Sequence, residues 1–463
     1  MRRVELSKSR LWRRDATQVV RDCPGQPLKW LTAIFLVVIL EGAVRKWVLP
    51  TSLQGFAFVA KDVLVLCFCL CHPLDQRFRL LRRLRAIWLF LAVLLLPSFI
   101  LGSTDSLLSA IVVYKNAILW PISALHLAAR VSERDVRAFS RLVALATTLM
   151  AALAIGQYRS APDSWINRYA WDQAGVQVGV ASMGDTLVGV RGTGTFSYIS
   201  GLSVFAVFSF NLMIWTITIA QNTKERAFAA LGLTMALCCG AASGSRTALA
   251  YSALTTIAVL VMAPNFARNL RVISGVGISL AIFALVVAPD AALSYYQRVT
   301  NPGDDAIKRI TSEDLKGNYL EILNSSPFGI GLGQSTGVAA FERSKATNTV
   351  SVVYDHRPSN AVLEGGVLAF IALGVSNIVC IWLVAMGLNT KSRGLRVCTA
   401  TLGGSSLFAV AGCLWYDHNA TSMYWILLAF WLSFMSTRPH FGPRHLANVS
   451  PRYQDDQAAA LSA

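Results

Sequence analysis

Twelve apolar stretches, each long enough to cross a bilayer as a helix, divide this chain: 28–49, 56–72, 86–102, 108–129, 138–156, 198–221, 226–243, 247–263, 272–289, 360–387, 397–416 and 420–436. A hydrocarbon core about 30 Å thick takes about 20 apolar residues in helical form. Lipid offers the backbone no hydrogen bonds, so stretches of this kind fold as helices that satisfy their own amides. The pattern predicts an all-α polytopic membrane protein of about twelve transmembrane helices. Composition agrees, with 54% hydrophobic and 14% charged residues, against roughly 45–50% and about 25% in soluble chains. A soluble enzyme is excluded.

A formal charge of +17 raises the question of nucleic-acid binding, which needs the cations on one soluble face. Their positions give a different account. With the N-terminus placed in the cytoplasm, the inner segments are 1–27, 73–85, 130–137, 222–225, 264–271, 388–396 and 437–463, and every one carries Lys or Arg. The short outer turns 50–55 and 103–107 carry none, as retention of positive charge on the inner side requires. The basic excess is therefore topological, with attraction to anionic membrane lipids as a second role, and nucleic acid is not expected as a partner. Residues 1–27 form a basic cytoplasmic N-terminus without an apolar core, which predicts no cleavable signal peptide and an insertion signal in the first helix. The membrane domain runs 28–436, and the Pro-, Arg- and Gln-Ala-containing tail 437–463 is expected to be disordered. Nine cysteines fall in helices or the inner tail and imply no disulfide framework. Cys67, Cys69 and Cys71 before His72 are read as apolar filler, because a spacing of two scatters side chains around a helix.

Two outer segments, 157–197 and 290–359, are far longer than a bundle needs, and long loops on rigid scaffolds carry binding and catalysis. The second predicts a helix along the membrane surface over Asp304 to Leu323, closed by Pro327 and the glycine run FGIGLG. Polar and ionisable residues within spans are functional candidates, and a set of them shares one depth: Glu41, Arg45, Lys46, Lys61, Asp62, Lys115, Asn116, Arg246, Glu364, Asp417 and His418 all fall within roughly 15 Å of the outer surface at about 1.5 Å per residue. Pairing of Glu41 with Arg45 one turn on, and snorkelling of the cations, would be the plain reading; neither accounts for Asn116 or Glu364. Of six histidines, His356 and His418 face outward, where a neutral imidazole can accept a proton from a hydroxyl. Trp165, Tyr169 and Trp171 in the first long loop either stack on sugar faces or anchor the interface.

The strings VRGTGTF at 190–196, SGSRTAL at 243–249, PFGIGLG at 327–333 and SNAVLEGGVLAF at 359–370 resemble the signature blocks of the bacterial O-antigen ligase and polysaccharide polymerase superfamily. The likeness covers about residues 138–436, and EGAVRKWVLP followed by AKDVL is similar to a branch linked to exopolysaccharide synthesis. The resemblance implies a metal-independent, inverting glycosyltransferase with no cofactor, in the bacterial inner membrane with its site facing the periplasm. It would move a glycan from a polyprenyl-diphosphate carrier (undecaprenyl diphosphate) to a saccharide or lipid-linked saccharide acceptor. That makes it a polymerase for O-antigen or exopolysaccharide, or a ligase adding O-antigen to lipopolysaccharide. Arg191 and Arg246 match the family arginines, suited to a leaving diphosphate by their fixed bidentate donors. Asn360, Glu364, Arg45, Lys61, Lys115, His418, Gly329, Gly331 and Gly333 are the expected substrate-binding positions. The family reads His-Asn at the entry to the tenth helix, whereas this chain reads Ser359-Asn360 with His356 three residues earlier. His356 is the expected catalytic base, with Asp355, Glu364 and His418 as alternatives. The asparagine expected after GTF is replaced by Ser197-Tyr198.

The alternative from another class is a secondary transporter or exporter, whose charges belong at the midplane between repeated halves; here the polar level is off-centre and the long loops are asymmetric. Reporter fusions test the topology: those after Arg85, Arg137 and Arg396 should score cytoplasmic and those after Asp172 and Ser344 external. An external score at Arg396 would remove the twelve-span arrangement and the shared depth with it.

Overall fold

A computed structural model describes residues 26–50, 53–74, 78–168, 190–220, 222–262, 319–334, 357–390, 392–405 and 418–436, and every regular element among them is helical. In chain order these are α1 (Gln26–Ala43), α2 (Gln54–Cys71), α3 (Arg79–Ser103), α4 (Leu107–Ala128), α5 (Glu133–Arg159), α6 (Ile199–Ile219), α7 (Thr223–Ala242), α8 (Arg246–Met262), α9 (Tyr319–Ser325), α10 (Arg357–Leu388), α11 (Arg393–Cys398) and α12 (His418–Ser436). Seven helices among the described residues are long and apolar enough to cross a membrane: those at Gln26–Val48, Arg79–Ser103, Ser109–Ala128, Glu133–Arg159, Ile199–Ile219, Thr223–Ala242 and Ser359–Leu388. Two shorter apolar helices, Ala248–Met262 and Thr421–Ser436, coincide with further expected spans, as does α2. The expected span 272–289 lies outside the described residues, and 397–416 is described only to residue 405. The surface helix expected over Asp304 to Leu323 is described from Tyr319 onward, in α9.

Local chemistry sets the helix ends. Ser106 caps α4, Asn222 caps α7, and Ser132 with Asp135 forms a reciprocal capping box at the start of α5, satisfying amides that a helix cannot bond internally. Along α3 the residues Leu81, Leu84, Trp88, Leu91 and Leu95 are buried at three- and four-residue spacing, while Phe90 and Val93 on the opposite side are exposed. That is one stripe toward the bundle and one toward lipid. Helix α6 is buried around its whole circumference over Phe205–Ile217 and occupies the centre. There Phe35 of α1 meets Phe139 of α5 edge-to-face at 5.0 Å and Phe208 of α6 at 6.0 Å, and Phe139 meets Phe430 of α12 at 5.6 Å. Aromatic pairs of this geometry add to their area of burial and join four helices at one point.

The antiparallel run of helices gives the bundle two different ends. At one, Arg79, Arg82, Arg83 and Arg85 open α3 and Arg134, Arg137 and Arg141 open α5, and Arg141 reaches Glu225 at the start of α7. The other end gathers the C-termini of α1, α3, α5 and α7 with the N-termini of α2, α4, α6, α8 and α10.

At that second end the PFGIGLG segment runs as a non-helical strap between α3 and α10. Gly329, Gly331 and Gly333 all have positive φ, a region open to glycine and strained for other residues. The strap's amides are matched one by one. Ile330 donates to Leu363 O (2.9 Å), Gly331 to Glu364 O (2.8 Å) and Leu332 to Ser98 O (2.9 Å), and Gly333 donates to the Glu364 carboxylate (2.7 Å). The α10 carbonyls are free to accept because that helix breaks at Gly366 (φ 57°, ψ −144°). Irregular backbone survives at membrane depth only where protein satisfies it in this way. A Cβ on Gly331 would strike the backbone of Gly102, whereas one on Gly374, in the regular part of α10, would meet nothing within 4 Å. Gly331→Ala should therefore lower stability by about 2 kcal/mol or more and reduce the yield of monodisperse protein. Gly374→Ala should leave it unchanged or raise it by up to about 1 kcal/mol. Thermal unfolding of the two variants in one detergent checks the contrast.

Candidate functional site

The polar end is built from three connected pieces. In the first, α1, α2 and α4 bring together charges that lie far apart in sequence. Glu41 accepts from Lys61 and, at 3.3 Å, from Arg45, while Lys115 donates to the Asp62 carboxylate. Lys61 is fully buried, with 0% exposure, and Lys115 donates to its neighbour Asn116 at 3.3 Å. Placing i and i+4 charges on one face of α1 supplies the local Glu41–Arg45 pair; the cross-helix pairs come from α2 packing against α1 and against α4. Snorkelling therefore does not describe Lys61, whose ammonium is held inside the protein.

In the second piece, the VRGTGTF segment lies across the end of α1. Gly42 has no side chain, and a Cβ there would collide with the backbone of Thr195, Phe196 and Ser197. The close approach lets Lys46, in the π-turn Val44–Val48 that ends α1, donate to Thr193 Oγ1 (2.8 Å) and Gly194 O (2.9 Å), and lets Arg45 donate to Ser197 Oγ (3.3 Å). Ser197 is thus tied to the charge network. Gln157, buried near the C-terminus of α5, closes the loop from the other side: its Oε1 accepts from the amides of Thr193 (2.9 Å) and Gly194 (2.8 Å), and its Nε2 donates to Gly194 O (3.2 Å) and Ile166 O (2.9 Å).

In the third, Arg191 is seated against the turn that leads into α8. Gly192 N–H donates to Ala242 O at 2.9 Å, and Arg191 Nε donates to Ser243 O at 2.9 Å. Ser243 in turn accepts from Ser203 of α6 (3.1 Å). The carbonyl end of α7, where the helix dipole favours a cation, therefore seats Arg191 three residues before Arg246, the first residue of α8. The side chain of Arg246 lies outside the described atoms.

The expected site residues divide accordingly. Arg45, Lys61, Lys115, Arg191, Asn360, Glu364, Gly329, Gly331 and Gly333 all lie at this end. Asn360 is buried beside Ser359 in the first turns of α10. Glu364 is completely buried and accepts the Gly333 amide, and the amides of Gly331 and Gly333 are given to protein acceptors. In this arrangement the glycines shape the strap and Glu364 secures it. His356, Asp355 and Asp417 lie outside the described residues, and His418 is described in its backbone alone. Sequence reasoning missed Gln157, the residue that joins α5 to the VRGTGTF loop. Its signal was present: an uncharged polar side chain at the end of an apolar span, IGQY, whose amide can donate and accept at once.

No protein-family model matches the chain, and no curated protein matches it.

The buried pair gives a direct test of how this end is held. Lys61→Met should cost about 3 kcal/mol, because buried Glu41 then loses the nearer of its two counter-charges and keeps Arg45 at 3.3 Å. Adding Glu41→Gln should recover part of that loss. Folded yield and unfolding temperature of the single and double variants measure the coupling; additive losses would show that the pair does not hold the two helices together.

Proposed function

We propose that this chain is a membrane glycosyltransferase that moves a glycan from a polyprenyl-diphosphate carrier to an acceptor sugar. It would act at the periplasmic face of the bacterial inner membrane, as a polysaccharide polymerase or an O-antigen ligase. The observation that carries the reading is the seating of Arg191 on the Ser243 carbonyl, which brings the arginine of VRGTGTF against the turn that begins α8 with Arg246. Two sequence blocks about fifty residues apart thereby converge at the end of the bundle opposite its arginine-rich end. That opposite end is the cytoplasmic one if positive charge stays inside.

In the proposed reaction an acceptor hydroxyl oxygen attacks the anomeric carbon from the face opposite the diphosphate. The new glycosidic C–O bond forms as the bond to the diphosphate oxygen breaks, with inversion. The leaving polyprenyl diphosphate keeps the electron pair, and its growing charge is met by the guanidinium groups of Arg191 and Arg246. The hydroxyl proton passes to His356. Glu364 is a poorer base on this reading, since its carboxylate already accepts the Gly333 amide. The transporter reading would look to the broken helix α10 for a solute site. At that break the carbonyls of Leu363 and Glu364 receive the amides of Ile330 and Gly331, so the opening is filled by the chain itself.

Purified protein in detergent, given labelled polyprenyl-diphosphate glycan and acceptor, should release polyprenyl diphosphate; a transporter makes no covalent product without a sealed compartment. Arg191→Lys keeps the charge and loses the planar fork. It should fold and insert yet turn over at least about 100-fold more slowly, about 2.7 kcal/mol of barrier. Wild-type turnover in that variant would remove Arg191 from the reaction. Well-folded wild-type protein that yields no product with several candidate glycans would overturn the transferase reading.

A further inference from the structure

Like Phe328 beside the glycine strap, Trp165 is a large aromatic side chain of the polar end that faces outward on a turn, not on a helix. Its residue is 63% exposed, in the short 3-10 turn Trp165–Asn167 that follows α5. The turn is fastened from several directions. Asn167 Nδ2 donates to Ser160 O (3.2 Å) and Ala161 O (2.8 Å), Gln157 Nε2 donates to Ile166 O (2.9 Å), and Trp47 Nε1 donates to Trp165 O (3.1 Å). The ring itself rests against Trp47 at 70° and 5.9 Å between centroids, a contact that leaves most of its surface open. An apolar ring held rigidly toward the outside forgoes burial, and such a ring is what a stacking ligand requires, because its ordering cost is met before the ligand arrives.

Its surroundings connect it to the rest of the polar end. Trp47 is the neighbour of Lys46, whose ammonium lies 4.8 Å from the Trp47 ring centroid and donates to Thr193 and Gly194 of the VRGTGTF loop. Gln157 holds the amides of that loop and the carbonyl of the Trp165 turn with one side chain. Arg191 therefore stands where the loop meets α7, and the tryptophan pair where the same loop meets α1 and α5. We infer that Trp165, braced by Trp47, is a saccharide-stacking platform that takes a pyranose ring of the acceptor on the side of the VRGTGTF loop opposite Arg191. This rests on the transferase reading above. A pyranose offers an apolar C–H face to an indole ring while its hydroxyls remain free for polar groups at the rim. Trp382, by contrast, sits on α10 itself at 47% exposure, the placement of an interface-anchoring indole.

The test uses full-length protein in phosphatidylethanolamine–phosphatidylglycerol nanodiscs and, as probe, fluorescently labelled oligosaccharides of one to three repeat units released by mild acid from the polysaccharide of the cell that makes the protein. Wild type should bind the probe saturably. Trp165→Ala should weaken binding at least tenfold, Trp165→Phe should keep most of it, and in turnover assays the alanine variant should raise the acceptor KM more than it lowers kcat. Unchanged binding in Trp165→Ala, or no binding by wild type, overturns the platform. Should the alanine variant not fold, the emission that separates wild type from Trp165→Phe decides: it should shift with the probe and resist quenching by dibrominated acyl chains. Strong quenching by those lipids would make Trp165 an interface anchor instead and overturn the proposal. The two readings fail separately. Probe binding that depends on Trp165 without any turnover keeps the platform and rejects the transferase, and turnover indifferent to Trp165 does the reverse.

Discussion

Inside a bilayer a polar group left without a partner has no water to fall back on, and most of what is irregular in this structure follows from that. Helix α10 breaks at Gly366, and the carbonyls freed near the break are taken by the amides of the glycine strap. The strap can approach α3 only because Gly102 and Gly331 face each other without side chains. Each departure from helical geometry is thus matched by a second departure in another element. Three left-handed glycines in five residues would be a costly way to make a surface turn; as a strap wedged between two helices they are what lets non-helical chain lie there at all.

The same constraint organises the charges. Lys61 could not be fully buried unless Glu41 faced it across the α1–α2 contact, and Glu41 is shared with Arg45, which reaches on to Ser197. Lys46, one residue further, holds Thr193 and Gly194, and Gln157 holds the amides of the same two residues from α5. The VRGTGTF loop is therefore suspended between the carbonyl end of α7, the end of α1 and the end of α5, with no flexible stretch between Arg191 and its supports. A rigidly seated guanidinium contributes more to a developing charge than a mobile one, because its reorganisation is complete beforehand.

Periodicity and apolar length were enough to read an all-helical membrane bundle, since a spanning helix is written locally in the chain. Helix starts at Ser106, Ser132 and Asn222 are set by local capping, a signal that apolar length does not use, so the spans were read as beginning at 108, 138 and 226. The gathering of Glu41, Arg45, Lys61, Asp62, Lys115 and Glu364 at one end of the bundle also came through, because position along a span decides which end a residue occupies. Pairing did not. Glu41 with Arg45 is an i,i+4 neighbour visible in the chain, whereas Lys61 to Glu41 and Lys115 to Asp62 depend on which helices pack together, a property of the tertiary fold. The glycine run was read as a ligand-facing turn, and its amides are in fact committed to Leu363, Glu364 and Ser98. Nothing in FGIGLG alone states that a broken helix stands beside it; only Gly365-Gly366 in the SNAVLEGGVLAF block hinted at one. Gln157 escaped notice because a single neutral amide at the end of a span looks like a boundary residue until the loop it organises is in place.

The position of the polar layer bears on the choice between a transporter and a protein that works at one face. A transporter has to expose its site to both sides in turn, so its buried charges sit near the midplane among elements that can rock. Among the described residues the buried charges lie at one end, and the loops over them are tied to the helix ends by paired hydrogen bonds from Lys46, Gln157 and Arg191. Movement of α1 against α5 or α7 would break several of those bonds at once. On the proposed reading this rigidity suits the task, because both the carrier lipid and the acceptor would meet the protein from the same face, the lipid from the plane of the membrane and the sugar from the water above it. Chemistry confined to one face needs a fixed constellation near the surface, and no passage through the bundle.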